Sequence, residues 1–235
     1  MKSYLIYIFL IFSLMLQACE KDRPNFTPLA SLNVADAVIG GKNVKLNTNI
    51  RDSATLYGYK LFQVLAGETS IRLYPTNSPA RPDYQQTHAM VNGGIYSLFL
   101  AGTASAPEGI FVKDEIPPYS SDPIVRVRMV NCSINSSPLS LTLASAPTIN
   151  LFSNVAYKAV TPFSNVELNN PLPTGANIFQ LRNAAGTLLA SYTLPATGTV
   201  SVASSRYKNI TLVVKGLSGT TTGTDAFGIY AMPNY

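Results

Sequence analysis

Side chains that alternate apolar and polar, turn residues between the alternating runs, and one repeated order of segments predict an all-β protein. The fold class is two tandem immunoglobulin-like antiparallel β-sandwich domains after a cleaved signal peptide. Leu29-Ala30-Ser31-Leu32-Asn33-Val34 opens the first half as a strand. Val44, Leu46 and Thr48 then alternate with Lys45 and Asn47, residues 55–63 read as a further strand, and Ile71 and Leu73 flank Arg72. Period two places each such set on one face of a sheet. Tyr96-Ser97-Leu98-Phe99-Leu100-Ala101-Gly102 and Gly109-Ile110-Phe111-Val112 close that half. Ile124 to Val130 opens the second half, Ile178 to Leu181 is a more buried strand, and Ile210 to Gly216 and Phe227 to Tyr230 close it. Turn signals stand at Gly40-Gly41, Asn92-Gly93-Gly94, Asn183 to Gly186 and Pro195 to Gly198.

The two closing strands match in type, each is followed by a small-residue loop, and Tyr59-Lys60-Leu61-Phe62 aligns with Tyr157-Lys158-Ala159-Val160. Between the halves, Pro117, Pro118 and Pro123 deny amide donors to any ladder. The boundaries that follow are a signal peptide over 1–18, a tether over 19–27, and sandwiches over 28–118 and 119–235.

Lys2 gives the N-terminus a positive start, and Tyr4 to Leu16 is thirteen residues without a charge. A membrane-spanning helix needs about 20 apolar residues, so this run predicts a secretory signal core. Its end, Leu16-Gln17-Ala18-Cys19, resembles a bacterial lipobox. The resemblance implies diacylglycerol on the Cys19 thiol, cleavage before Cys19, acylation of the new amine, and thus a membrane partner through a lipid anchor. Several chains are needed because one holds only marginally, at about 0.8 kcal/mol per buried methylene. Glu20-Lys21-Asp22-Arg23 is similar to the surface-export signals of Bacteroidetes lipoproteins, which implies an outer-membrane location facing the cell exterior. A plain solvated tether is the other reading.

Composition agrees with export. Only 12% of residues are charged while 46% are hydrophobic, so the chain can bury a core and is not disordered. The formal charge of +5 falls by one with loss of Lys2. Residues 27–120 carry seven basic and seven acidic groups, and residues 121–235 carry seven basic and three acidic, so the excess lies in the second half. That excess serves solubility or attracts an anionic glycan or headgroup. An exported chain without a basic run is not a nucleic-acid partner. With Cys19 lipidated, Cys132 has no partner for a disulfide and reads as a small buried apolar residue.

The second strand-opening run leads to a further likeness. Ile124-Val125-Arg126-Val127-Arg128-Met129-Val130-Asn131, followed by Pro138-Leu139-Ser140-Leu141, resembles the opening of domain of unknown function 4397, and Tyr96 to Gly102 is similar to that family's later strand. The resemblance implies repeated sandwich units in an envelope protein and brings no known reaction. The chain departs from the family at Asn135-Ser136-Ser137-Pro138, where an Asp-Ala-Pro turn is usual, and at Ser140 and Leu141, where an acid is usual.

No residue pattern points to catalysis. Glycoside hydrolysis needs two carboxyls facing across a cleft. Asp114 and Glu115 are adjacent and would point to opposite faces of a strand, and Asp52, Asp83, Glu108, Glu167 and Asp225 are scattered. His88 is the single histidine, so a zinc site, which takes several His or Cys ligands, is not expected, and His88 reads as a surface or cross-strand residue. Gly40-Gly41-Lys42-Asn43 lacks the frame of a phosphate loop and reads as a hairpin turn. Arg126 and Arg128 share a strand face, as a paired anion site or, the favoured reading, as the solvent face of a half-buried strand. Tyr57 and Tyr59 would share a face in a 55–63 strand, as a candidate ligand contact or as a cross-strand cluster. The sequence has no tryptophan, which weighs against sugar stacking. Asp52-Ser53-Ala54 resembles the O-glycan acceptor of exported Bacteroidetes proteins, which marks Ser53.

The function expected is therefore non-enzymatic, with no cofactor and no metal. One reading is a surface binding or adhesin-like lipoprotein whose partner is a glycan or an envelope protein. The alternative is a periplasm-facing structural or assembly lipoprotein.

Overall fold

The computed structural model describes residues 27–234. The signal peptide over 1–18, the lipidation site Cys19 and all of the tether but its last residue lie outside the described residues. Within them the chain forms strands and one short helix. The first half holds β1 (Leu29–Asp36), β2 (Val44–Leu46), β3 (Asn49–Ala54), β4 (Tyr59–Leu65), β5 (Gly67–Pro75), β6 (Tyr84–Met90), β7 (Ile95–Thr103) and β8 (Ala106–Lys113). The second holds β9 (Ile124–Asn131), β10 (Leu139–Leu143), β11 (Ala146–Val155), β12 (Ser164–Glu167), β13 (Ile178–Arg182), β14 (Leu188–Thr193), β15 (Asn209–Lys215) and β16 (Gly228–Asn234). Between β14 and β15 lies α1 (Val202–Ser205), capped by reciprocal hydrogen bonds between Ser201 and Ser204.

Four four-stranded sheets result, in two pairs. The order β4-β1-β7-β8 in one half recurs as β12-β9-β15-β16 in the other, and β3-β2-β5-β6 recurs as β11-β10-β13-β14. Each number rises by eight, so the repeat is complete at the level of topology. In both halves the first strand runs parallel to the seventh, β1 to β7 and β9 to β15, and the other pairings within the sheets are antiparallel.

Alternation sorts the strands into layers. On β1, Ala30, Leu32 and Val34 point into a core shared with Leu46, Phe62, Ile71, Leu73 and Leu98. On β9, Val125, Val127 and Met129 point into a second core with Leu141, Phe179, Leu181 and Leu212. The opposite faces of the same two strands meet each other. Ala35, Ala37, Phe99 and Ala101 of one half pack with Val130, Cys132, Val213 and Met232 of the other. The molecule is thus a stack of four sheets with three apolar layers. Each fully buried Phe, Val or Met in the middle layer contributes roughly 1.5–3 kcal/mol.

Successive strands run in opposite directions along the stack. β1 is entered at Pro28, the connection between halves runs over 114–123 and β16 ends at Asn234, all at one end, here the base. Asn209 Nδ2 donates to Pro117 O at 3.1 Å, which ties the base of one half to that of the other, and Ser120 N to Tyr207 O at 3.4 Å holds the connection against the second half. The β1–β2, β3–β4, β5–β6 and β7–β8 loops gather at the far end, with the β15–β16 loop beside them. Gly40-Gly41-Lys42-Asn43 is therefore no hairpin turn. It carries the chain from the inner to the outer sheet, because β1 and β2 belong to different sheets.

Candidate binding site at the loop end

Three features at the junction of the halves bear on function: a buried polar cluster near the base, a set of latches near the loop end, and open grooves beyond them.

In the polar cluster Arg128 is only 3% exposed, so its face of β9 is not solvent-exposed. The inner sheet of the first half covers it. Arg128 Nη1 donates to Asp114 Oδ1 at 2.7 Å, Nη2 to Ser97 Oγ at 3.0 Å and Nε to Thr211 Oγ1 at 2.7 Å. Ser97 Oγ in turn donates to Asp114 Oδ2 at 2.6 Å. The guanidinium lies 5.0 Å above the Phe163 ring centroid. Arg126 donates instead to Pro118 O at the rim. The adjacent acids lie just beyond the end of β8, in the connection and not in a strand: Asp114 is buried and Glu115 exposed. The repeat organises this cluster. Asn33 and Arg128 are equivalent, as are Ser97 and Thr211, because each pair occupies the same place in its parallel ladder. Asp114 follows β8 where Asn234 ends β16, and Thr211 Oγ1 donates to Asn234 Oδ1 at 2.6 Å as Ser97 does to Asp114.

Toward the loop end each half reaches into the other. Tyr57 donates its hydroxyl to Asp225, while Tyr157 donates to Glu108 Oε1 at 3.0 Å and Lys158 pairs with the same carboxylate. Lys215 Nζ sits 4.3 Å from the Tyr57 ring centroid. Tyr57 has φ 56 and precedes β4, so it is not in strand conformation, yet it and Tyr59 both pack half-buried against the middle layer. Burial, then the Asp225 bond, pushes the Tyr57 hydroxyl above its ordinary range.

Asp36 ends β1 just inside these latches and is fully buried. Its Oδ1 accepts from Val38 N at 3.1 Å, and its Oδ2 has no partner among the described residues. Burial, with Asp83 nearby, raises its pKa to about 8, against the amide bond that lowers it. The equivalent residue in the second half is Asn131, whose Oδ1 accepts from Ser133 N at 3.1 Å in the same turn. Asn131 Nδ2 donates to Val155 O at 3.1 Å, a bond an ionised carboxylate cannot make. Cys132 is buried, and burial raises its thiol pKa, so it behaves as an apolar residue.

Beyond Asp36 the loops enclose two open grooves. One, of ≈ 400 Å³, is lined by Gly40 to Asn43, Leu56, Thr76, Thr224 and Asp225, so both halves contribute. The other, of ≈ 230 Å³, shares Gly40 to Lys42 and adds Arg81 and Asp83. Gly40 N donates to Asp225 Oδ1 at 3.3 Å across the junction. A Cβ on Gly41 would stand 2.9 Å from Val38 O, so the close fold of this loop requires glycine there. The larger groove sets the Lys42 cation, the Asp225 carboxylate, the Thr76 and Thr224 hydroxyls and loop backbone around the apolar Leu56.

The remaining candidates fall elsewhere. Ser53 lies half-buried on edge strand β3, next to Asp52, whose Oδ1 meets Lys60 Nζ at 3.0 Å. His88 is a cross-strand residue on β6. It stacks on Phe111 at 3.7 Å between ring centroids, and its Nε2 is 2.6 Å from Tyr84 Oη. Burial lowers its pKa, with Glu68 acting the other way. Among the described residues no three His, Cys, Asp or Glu side chains cluster as metal ligands.

The fold and junction define a tandem β-sandwich protein with a shared apolar middle layer. No family model matches the chain, and no curated protein matches it.

Proposed function

We propose that this chain is a lipoprotein held at the outer membrane through Cys19, with two immunoglobulin-like domains (28–118 and 119–235) that present a non-enzymatic binding end to the cell exterior. The observation that carries the binding reading is polarity along the stack. The tether leads to the base, while the grooves formed by Gly40 to Asn43, Arg81 and Asp225 open at the opposite end. Binding residues concentrate on loops set on a rigid sandwich. The lipobox-like Leu16 to Cys19 supports the anchor, and the likeness to domain of unknown function 4397 accords with a repeated envelope module. The partner class is a glycan or an envelope protein.

The test is a binding screen of the mature protein against glycans and surface proteins, repeated with Lys42→Glu and Arg81→Glu. Both side chains are exposed, so folding should survive. A tenfold or larger loss of affinity in either variant supports the grooves as the site, and unchanged binding removes them. Protease digestion on intact cells addresses orientation. Resistance until the envelope is opened would favour the periplasm-facing structural reading.

A further inference from the structure

The base of the stack is apolar in a way that burial within the chain does not explain. Leu29 is 38% exposed, Leu65 55%, Val91 54%, Tyr119 66% and Tyr207 41%. These five come from separate places in the sequence: the start of β1, the end of β4, the β6–β7 turn, the connection between halves and the loop before β15. The fold brings them to one end. Leu29 and Leu65 are direct cross-strand partners. Gly93 N donates to Leu29 O at 2.8 Å and sets the Val91 turn beside them. Ser120 N reaches Tyr207 O, which places the two tyrosines at the foot of the junction.

The chain outside the structure says what covers this end. Thr27 follows Cys19 by eight residues, and eight extended residues span at most about 29 Å. A lipid anchor at Cys19 therefore keeps the base within that reach of the bilayer at all times. Tyrosine is the residue type that settles at a membrane interface, with its ring among acyl chains and its hydroxyl among headgroups. At this end Lys113, Arg126, Arg206 and Lys208 are matched in number by Glu68, Glu115, Asp122 and Glu167, so apolar contact outweighs charge attraction.

We infer that the base formed by Leu29, Leu65, Val91, Tyr119 and Tyr207 rests on the bilayer interface and stands the stack upright. This rests on the anchor reading, and the two can be tested apart. The chain from Cys19 to Tyr235 is coupled through the Cys19 thiol to maleimide lipid in phosphatidylethanolamine–phosphatidylglycerol vesicles. Cys132 is buried and does not compete. Amide hydrogen exchange is then compared with the uncoupled protein. The expected result is at least tenfold slower exchange at 91–94 and 119–121, with 40–43 and 218–224 unchanged. The double variant Leu65→Ser, Val91→Ser, altered only at exposed positions, loses the protection. Equal exchange at base and loop end in coupled protein overturns the inference. Protection of the base without vesicles at the same protein concentration means a second copy occupies it, and overturns it too. The mass of the protein extracted from its own membrane decides the anchor separately, because absence of a diacylglyceryl group on Cys19 sinks that reading whatever the vesicles show.

Discussion

At the scale of single residues, two buried ionisable groups separate cost from gain. Asp36 keeps its proton in the fold up to about pH 8, against an ordinary 3.8. The folded state therefore binds more protons than the unfolded chain between those values. The stability this gives is full below about pH 4 and is lost as pH rises through 8. Asp36→Asn installs the carboxamide that Asn131 uses in the other half. It should raise stability at pH 8 by about 2–5 kcal/mol and flatten the decline between pH 4 and 8, read by urea melts across that range. A variant that melts as the parent does at every pH would show that Asp36 is solvated. Arg128 is the opposite case, since its charge is matched by Asp114 and by two hydroxyls. Removing one member of a buried pair typically costs about 3–5 kcal/mol. Arg128→Ala should reach that range in denaturant titration, whereas Lys158→Ala, at a half-exposed pair, should stay below about 1 kcal/mol. The alternation of β9 was legible enough to point Val125, Val127 and Met129 inward. The fate of Arg128 was not, because its partner Asp114 precedes the strand, in the connection, and the covering sheet belongs to the other half.

At the scale of elements, the ends of β7 and β15 show how closely the repeat is kept. Gly102 and Gly216 have φ 78 and 77, and a Cβ on either would meet a carbonyl oxygen at 2.4 or 2.3 Å, of Ala106 and Ala226. Gly186 has φ 79 but open space around it. Gly186→Ala should cost only the left-handed penalty of about 1–2 kcal/mol, and Gly216→Ala clearly more. Thermal melts of the two variants compare them, and equal losses would mean that the Ala226 carbonyl moves aside freely. The likeness of Tyr96–Gly102 to Ile210–Gly216 could be read from sequence and holds in the ladders. The match of Tyr59 with Tyr157 does not hold. Tyr59 pairs with Ala35 and Val160 bridges Val130, so Tyr59 corresponds to Val160, three residues on. A shared Tyr-Lys pair drew the alignment out of register. The parallel pairing of β1 with β7 leaves no mark in either strand, since period two is the same for both directions. The loop-end grooves were similarly illegible, because they depend on loops far apart in sequence, although the Gly40-Gly41 turn signal and the small-residue loop after β15 that border them stood out in composition.

At the scale of the whole molecule, the middle layer makes the halves interdependent. Phe99, Val130, Val213 and Met232 are fully buried only because the inner sheets cover each other. A protease nick at 119–121 should leave two fragments that co-elute in gel filtration and part only in denaturant. Either half expressed alone should self-associate through its bared inner face, as sedimentation velocity would show. Monomeric, fully folded halves would mean that the layer contributes little.

The opposed running of the strands has a mechanical consequence. A pull between a tether at the base and a ligand at the loops acts along β1, which is gripped by β4 over seven registered pairs and by β7 over six. Load in that direction shears both ladders at once instead of unzipping them bond by bond. A stack built this way would carry tension through its first strand as a stiff strut between an anchored lipid and whatever holds the other end.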